Sequence, residues 1–182
     1  MVLNMDSDPK QHYPKEQMWL HWLSLALIAI AYAAIELKDF VPKSNVWHDY
    51  IKLIHFNAGL LAFAVMLLRV YLYKRNTEPQ ITPEPPLWQR KVSSITHKVI
   101  YLCFLSLPLL GLVLMYIGGK QWDFLGIQMP VSSAPDRALS KSIKEVHETL
   151  ADAGYFLIAL HAGAALFHHY FVKDDTLKRM LP

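Results

Sequence analysis

VHETLADAGYFLIALHAGAALFHHYFV, residues 146–172, combines a long apolar stretch with two histidines, and the fold prediction starts from it. A helix needs roughly 20 mainly apolar residues to cross the hydrocarbon core of a membrane, and this segment is long enough. His147 and His161 are separated by about four helical turns, so they lie on nearly the same face, roughly 21 Å apart along the axis. The segment therefore predicts a transmembrane helix that carries polar groups at two depths.

Three further stretches are apolar over a similar length and are bounded by charged residues, Pro or Gly. With 53% hydrophobic residues in a chain of 182, one compact membrane unit is the simplest interpretation. We therefore predict an all-α membrane protein, a four-helix transmembrane bundle that forms a single domain over residues 1–182. The predicted spans are residues 18–37, 51–73, 92–117 and 146–172.

The basic residues are distributed unevenly between the two ends of the predicted bundle. Of the 18 Lys and Arg residues, eleven lie in or beside the N-terminal tail, the second connector and the C-terminus, and seven lie at the other two loops. Cytoplasmic loops are enriched in Lys and Arg, so this bias predicts a multi-pass protein with both termini in the cytoplasm.

Four of the nine histidines fall inside predicted spans at depths that match in pairs. His21 lies near the cytoplasmic end of the first span, at the level of His161, whereas His55 lies at the level of His147. A lone histidine in a span is more often a packing residue, but four that pair by depth favour metal ligands. Two axial histidines are a common way to hold a haem for electron transfer, whereas zinc prefers four protein ligands. We interpret His97, whose span has no second histidine, as an interfacial residue.

Three other residues of the spans are candidate site residues. His168 follows His161 by two turns, so a quinone or a proton could reach it at the cytoplasmic surface, although a simple interfacial role explains it equally well. Arg69 lies on about the same face as His55 but at the depth of the cytoplasmic site, and either a haem propionate or snorkelling explains it. Lys52 precedes His55 by three residues and could serve the second haem in the same way.

Lys141 and Lys144 precede the outer histidine of the fourth span. Positive charge at the mouth of a site raises the local concentration of an anionic substrate. A solvated helix end explains the same residues without any function. Lys144 is therefore a candidate for attracting an anion to the outer site.

The composition excludes several other classes of protein. The net charge of +3 comes from 18 basic and 15 acidic residues, which is too balanced for a nucleic-acid-binding protein. The single cysteine, Cys103, cannot form an intrachain disulfide, and no C-x-x-C-H sequence is present for covalent attachment of a c-type haem. The charged N-terminus has no apolar core followed by a cleavage site, so we expect no removable signal peptide.

Four segments resemble the bacterial cytochrome b561 family, and VHETLA and LHAGAALFHHYF are the most specific among them. The resemblance implies one haem b held by His21 and His161 and a second held by His55 and His147, in the bacterial inner membrane. It also implies that electrons are taken from superoxide at the periplasmic face and delivered to ubiquinone. The segments are QMWLHWLSLALIAIAYAAIEL, IKLIHFNAGLLAFAVMLLRV, KVIYLCFLSLPLLGLVLMY and KEVHETLADAGYFLIALHAGAALFHHYFVKDDTLKRMLP.

Two oxidoreductase hypotheses follow, together with a third in which the bundle holds no haem. The first is a superoxide:ubiquinone oxidoreductase, in which Lys144 attracts superoxide, His168 acts at the quinone, and the partners are membrane lipid, quinone and superoxide. It needs no protein partner and no nucleic acid. The second is a cytochrome b subunit that relays electrons and anchors a dehydrogenase or hydrogenase. Such a subunit should have a docking loop or an extra helix, and this sequence predicts neither.

Overall fold

The computed structural model describes residues 12–181, and four long helices make up most of them. Lys10, one of the residues in the charge bias, lies outside the described residues. A hairpin of two short antiparallel strands, β1 (Asp123–Phe124) and β2 (Ile127–Gln128), lies in the connection between the third and fourth helices. The helices are α1 (Lys15–Lys38), α2 (Val46–Arg75), α3 (Leu87–Ile117) and α4 (Arg137–Phe167), and a π-helical turn (His168–Val172) extends α4.

Each helix begins at a residue that suits the first turn. Pro14 and Pro86 directly precede α1 and α3. Proline has no N–H, and this costs nothing at the start of a helix because an N–H there would have no partner within the helix. The side chain of Asn45 accepts a hydrogen bond from the backbone N–H of Trp47, and Asp136 caps the first turn of α4 in the same manner. The sequence therefore determines where these helices begin.

The helices extend beyond the apolar stretches from which the spans were predicted. The largest difference is in α4, which begins at Arg137 rather than near residue 146. Its first turns are polar, and Lys141 and Lys144 each pair with a glutamate one turn later. Such pairs support a helix at the membrane surface, where hydropathy alone gives no signal.

Successive helices run antiparallel, so the bundle has two distinct ends. At the end where the described residues begin and finish, which we call the terminal end, the Gln17 side chain donates a hydrogen bond to the carbonyl of Leu72. At the opposite end, which we call the hairpin end because β1 and β2 lie there, Ser140 Oγ donates to the carbonyl of Leu114 over 2.8 Å. α1 packs mainly against α2, and α3 packs mainly against α4.

Small residues bring the helices of each pair together. Ser24, Ala31 and Ala34 of α1 are buried, as are Ala58 and Ala62 of α2. Between α3 and α4, Cys103 Sγ approaches the carbonyl of Leu150 at 3.6 Å. Close backbone approach through small residues is typical of packing between membrane helices.

The exterior of the bundle is apolar. Leu102, Phe156 and Leu160 are 69%, 78% and 60% exposed. Exposed apolar side chains of this kind fit hydrocarbon rather than water. Helices suit the same surroundings, because they satisfy their own backbone hydrogen bonds. All four helices are long and apolar enough to cross a membrane. The predicted four-helix membrane fold is confirmed.

The C-terminal segment, residues 173–181, folds back across the terminal end. Asp175 exchanges two hydrogen bonds with Thr82 of the α2–α3 connector, over 2.9 and 3.3 Å. Arg179 is buried and donates to the carbonyl of Pro79 in the same connector. Trp22 Nε1 of α1 donates to the carbonyl of Met180 over 2.9 Å. The segment thus ties α1 and the connector together beneath the end of α4.

Gly154 gives a first prediction, on stability. A Cβ at this position would lie 2.4 Å from Tyr32 Oη and 3.3 Å from Phe104 Cζ, and the Tyr32 hydroxyl is held by its hydrogen bond to the carbonyl of Ala151. Overpacking of this kind typically costs about 1–3 kcal/mol, so Gly154→Ala should lower the thermal unfolding temperature. Gly163→Ala on the same helix is the control, because nothing lies within 4 Å of its Cβ position. Equal unfolding temperatures for the two variants would contradict the packing described.

Candidate haem-binding site

His55 and His147 face each other near the hairpin end. Their ring centres are 6.3 Å apart and the ring planes are nearly perpendicular, at 76°. His55 Nδ1 lies 2.8 Å from the carbonyl oxygen of Ala31. A carbonyl can only accept, so Nδ1 carries the proton and Nε2 keeps its lone pair. This is the arrangement that orients a histidine for ligation through Nε2.

His147 projects from α4 towards α3. A Cβ at Gly111 of α3 would lie 3.7 Å from His147 Cε1, an ordinary van der Waals distance, so the ring packs directly against α3 at this residue. Nδ1 of His147 is buried next to the backbone of Leu107 in α3, but it makes no hydrogen bond of standard geometry in the part of the chain that the structure describes.

A second pair, His21 and His161, lies near the terminal end. Their ring centres are 6.1 Å apart, with the planes at 59°. The sequence interpretation treated His97 as an interfacial residue, but its ring centre lies 5.4 Å from that of His161. No pattern in the α3 sequence indicates this contact, because it depends on how α3 packs against α4. Three imidazoles therefore gather at this end.

Arg69 reaches the terminal pair from α2. Its Nη2 lies 3.0 Å from His21 Nδ1, and its Nη1 donates to Ser24 Oγ over 2.7 Å. The guanidinium also lies over the ring of Tyr101, at 5.6 Å. Because arginine only donates, His21 Nδ1 is the acceptor in this contact. Its expected role towards a propionate stays a prediction.

The donor set and its spacing fit haem. A histidine nitrogen lies about 2 Å from the metal it binds, and the ring centre about 1 Å farther, so two axial imidazoles have centres about 6 Å apart. Both pairs have this spacing. Among residues 12–181, no group of three or more His, Cys, Asp and Glu could hold a metal ion. Two imidazoles suit a metal whose other positions are filled by a macrocycle.

Open space lies beside the hairpin-end pair. Gly59 follows His55 by one turn and shares its face of α2. A Cβ at Gly59 would meet nothing within 4 Å. The residues at this site therefore fit a haem held between α2 and α4.

The lysines expected to act at the outer site are paired with carboxylates. Lys144 contacts Glu148, Lys52 lies 2.6 Å from Asp49, and Lys141 lies 3.9 Å from Glu145. Lys52 is therefore held by an acidic neighbour on its own helix. The predicted roles of Lys52 and Lys144 stay predictions. Each pair has a smaller field than a single lysine would have.

A basic cavity lies at the hairpin end beside the start of α4. Its volume is about 420 Å³. Within residues 12–181, Lys120 and Arg137 make no ion pair, so they add positive charge that the sequence interpretation did not single out. The sequence could have indicated them, because both lie at the predicted outer end of the bundle, where Lys and Arg are less frequent. The lining residues are Gly118, Gly119, Lys120, Arg137, Ser140, Lys141 and Lys144.

His168, the other candidate site residue, lies at the terminal end. It begins the π-helical turn that extends α4, and π-helical turns are frequent at functional sites. Its Nδ1 donates to Asp174, a residue that the sequence interpretation missed. No sequence pattern indicates this contact, because the two side chains meet only after the chain turns back at the end of α4.

Comparisons with known proteins match nearly the whole chain. The sequence model of a family described as prokaryotic cytochrome b561 matches residues 12–182. Cytochrome b561 homolog 1 of Escherichia coli (strain K12) is 46% identical over 170 residues, covering 93% of this chain and 97% of the relative. Probable superoxide oxidase CybB of Yersinia pestis is 39% identical over 166 residues, covering 91% and 93%. Cytochrome b561 homolog 2 of Escherichia coli (strain K12) is 26% identical over 162 residues, covering 88% and 86%.

Proposed function

Because the chain belongs to the prokaryotic cytochrome b561 family, whose helical membrane proteins bind haem b and transfer electrons, we propose that it oxidises superoxide and reduces ubiquinone. Two haems b, one at each histidine pair, serve this reaction. The observation that carries the proposal is the matching spacing of the two pairs, 6.1 and 6.3 Å between ring centres. The name of the Yersinia pestis relative supports superoxide as the electron donor.

In this proposal His55 and His147 hold one haem, and His21 and His161 hold the other. When bound between these histidines, haem b would supply one-electron transfer. The pairs are separated by about four turns of α4, roughly 21 Å along the axis. The protein's own contribution is to fix this separation and the polarity of the two ends.

Arg69 has a specific part in holding the terminal-end haem. Ligation through His21 Nε2 requires the proton on Nδ1, whereas the guanidinium now donates to Nδ1. A haem propionate is a stronger acceptor for arginine than an imidazole nitrogen, because the hydrogen bond joins opposite charges. Arg69 would therefore pair with a propionate of the bound haem, and His21 Nδ1 would then be free to carry its proton.

The hairpin end is the side at which superoxide enters. Lys120, Arg137, Lys141 and Lys144 line the cavity there, and a superoxide anion is drawn to such a surface. Superoxide needs no proton to become oxygen, so this end requires charge rather than an acid or base. With both termini in the cytoplasm of a bacterium, the hairpin end faces the periplasm, and the protein lies in the inner membrane.

The direct test is a two-step redox titration of the purified protein. Potassium superoxide should reduce the haems under anaerobic conditions, and ubiquinone-1 should then reoxidise them, with two superoxide ions consumed per quinone. Pyridine haemochrome analysis should give two haems b per chain. Reduction by dithionite but not by superoxide would contradict the proposal, and would favour an electron-relay subunit that anchors a dehydrogenase or hydrogenase.

A further inference from the structure

The β1–β2 hairpin is held against α2 by one side chain. Asn57 Nδ2 donates to the backbone carbonyl of Asp123 over 3.0 Å, and Asn57 Oδ1 accepts from the backbone N–H of Leu125 over 2.8 Å. Beside this contact, the buried Trp122 packs against Phe56, with ring centres 5.5 Å apart. The hairpin therefore has a fixed position on the surface of α2, at the level of Asn57.

Asn57 lies inside the membrane-spanning part of α2. Lys52 and Lys74 are separated by about 33 Å along the helix axis, which is close to the roughly 30 Å thickness of a hydrocarbon core. Asn57 follows Lys52 by five residues, so it lies about 8 Å inside that boundary. Trp47 and Tyr50 precede Lys52 and are 64% and 54% exposed, as is typical of aromatic residues at a membrane interface. The hairpin thus lies deeper in the membrane than these aromatics.

The hairpin has a polar base and an apolar tip. Asp123 and Gln128 pair with each other at the base. The tip consists of Leu125, Gly126 and Ile127, and the two large side chains are 66% and 68% exposed. A hairpin that lies in water has no use for two exposed aliphatic residues at its tip. The same arrangement suits a membrane boundary, where the base meets headgroups and the tip meets acyl chains.

The leucine in the turn is held in an unfavourable backbone conformation. Leu125 has a φ of 49°, in the left-handed region, and Gly126 follows with a φ of 85°. Turns of this kind normally place Asn, Asp or Gly at both positions, and a bulky residue there is an outlier. Backbone strain of this kind is retained where the side chain has a function. Contact with hydrocarbon is a function that requires leucine and that Asn or Gly would not provide.

A groove of about 270 Å³ lies between the hairpin tip and α2. It is continuous with the apolar exterior of the bundle, since Ile54 in its lining is 48% exposed. That exterior faces lipid in a membrane protein, so the groove opens towards acyl chains. The lining residues are Leu53, Ile54, Asn57, Asp123, Leu125 and Gly126.

We propose that the hairpin re-enters the membrane leaflet at the hairpin end, with Leu125 and Ile127 among lipid acyl chains and one chain in the groove. Amphipathic elements at a membrane surface bury their apolar side about 5–10 Å into the boundary between headgroups and acyl chains, which agrees with the depth of Asn57. Backbone groups in lipid need a partner within the protein, and Asn57 supplies one to each of two hairpin residues. The α3–α4 connector is thus part of the membrane domain.

Spin labels on the connector test the proposal in vesicles of phosphatidylethanolamine and phosphatidylglycerol. A nitroxide is attached at Leu125→Cys or at Lys120→Cys, each in a Cys103→Ala background. Lys120 is the matched control, because it belongs to the same connector but lines the basic cavity. Power saturation measures collisions of the nitroxide with oxygen, which concentrates in hydrocarbon, and with a polar nickel chelate. We expect the ratio of oxygen to nickel collisions to be about tenfold higher at Leu125, because hydrocarbon excludes polar solutes.

Equal ratios at the two positions would overturn the proposal, since the tip would then lie in water. Spectral broadening at Leu125 that disappears on dilution with unlabelled protein would show that a second copy covers the tip, and would overturn it as well. Asn57→Leu should lower the ratio at Leu125 towards that at Lys120, and an unchanged ratio in a folded variant would refute the role of Asn57. The comparison of Leu125 with Lys120 decides the proposal even where Asn57→Leu does not fold.

Discussion

His147→Ala and His55→Ala are each expected to lose one of two haems b, and it should be the same haem in both variants. The two rings face each other at 6.3 Å, and a haem held between them would lose one of its two protein ligands when either ring is removed. His21→Ala and His161→Ala should each lose the other haem. Pyridine haemochrome analysis should then give one haem per chain instead of two, and redox titration should show a single remaining potential that differs between the two sets of variants.

His97→Ala provides a sharp control for the terminal pair. The His97 ring lies closer to His161 than the His21 ring does, at 5.4 Å compared with 6.1 Å between centres. We nevertheless expect His97→Ala to keep both haems, since His21 matches His161 in depth and lies at the axial spacing. Loss of the terminal-end haem in His97→Ala, with retention in His21→Ala, would show that His97 is the ligand.

Arg137→Glu is expected to slow reduction of the protein by superoxide and to flatten its dependence on salt. Attraction by a charged entrance raises association rates by about 10 to 10³-fold where it is strong. Arg137 lines the basic cavity, and in the described residues no carboxylate pairs with it. Screening shortens such fields to about 8 Å near physiological salt, so most of the effect should appear at low ionic strength. Stopped-flow haem reduction across a salt series measures it.

Two variants complete this experiment. Lys144→Glu should also slow the reaction, because it replaces a cation of the cavity lining with a carboxylate and leaves Glu148 without its partner. Arg90→Glu changes the net charge by the same amount at the terminal end, where Arg90 pairs with Glu84 at 2.7 Å, and should leave the superoxide rate unchanged. Equal slowing in all three variants would mean that net charge alone sets the rate. Flat salt dependence in the wild type would remove the argument for an attracting entrance.

The sequence was sufficient for the features that depend on distance along one helix. Membrane spans follow from apolar length, and the spacing of His147 and His161 on α4 requires two depths whatever the packing. The depths of His21 and His55 then match those of His161 and His147, and the structure brings the rings of each pair together. Such inferences succeed because helix geometry converts residue number directly into position.

The features that the sequence could not predict depend on side-chain direction or on chain reversal. The pairing of Lys144 with Glu148 is an exception, because a spacing of one helical turn already indicates it in the sequence. Arg69 was expected at the depth of the terminal site, but its contact with His21 depends on how α1 and α2 approach each other. Asp174 lies beyond the last predicted span, and only the turn after α4 brings its side chain to His168.

The contribution of α4 to both histidine pairs has a consequence for how the protein is made. His161 completes the pair begun by His21, and His147 completes the pair begun by His55. A chain synthesised from its N-terminus therefore exposes one candidate ligand for each cofactor early, and supplies both partners only when its last membrane segment leaves the ribosome. Neither cofactor can bind to both of its histidines until α4 has been synthesised. Insertion of the final helix thus becomes the step that commits the nascent chain to maturation, and a product truncated before α4 would remain colourless.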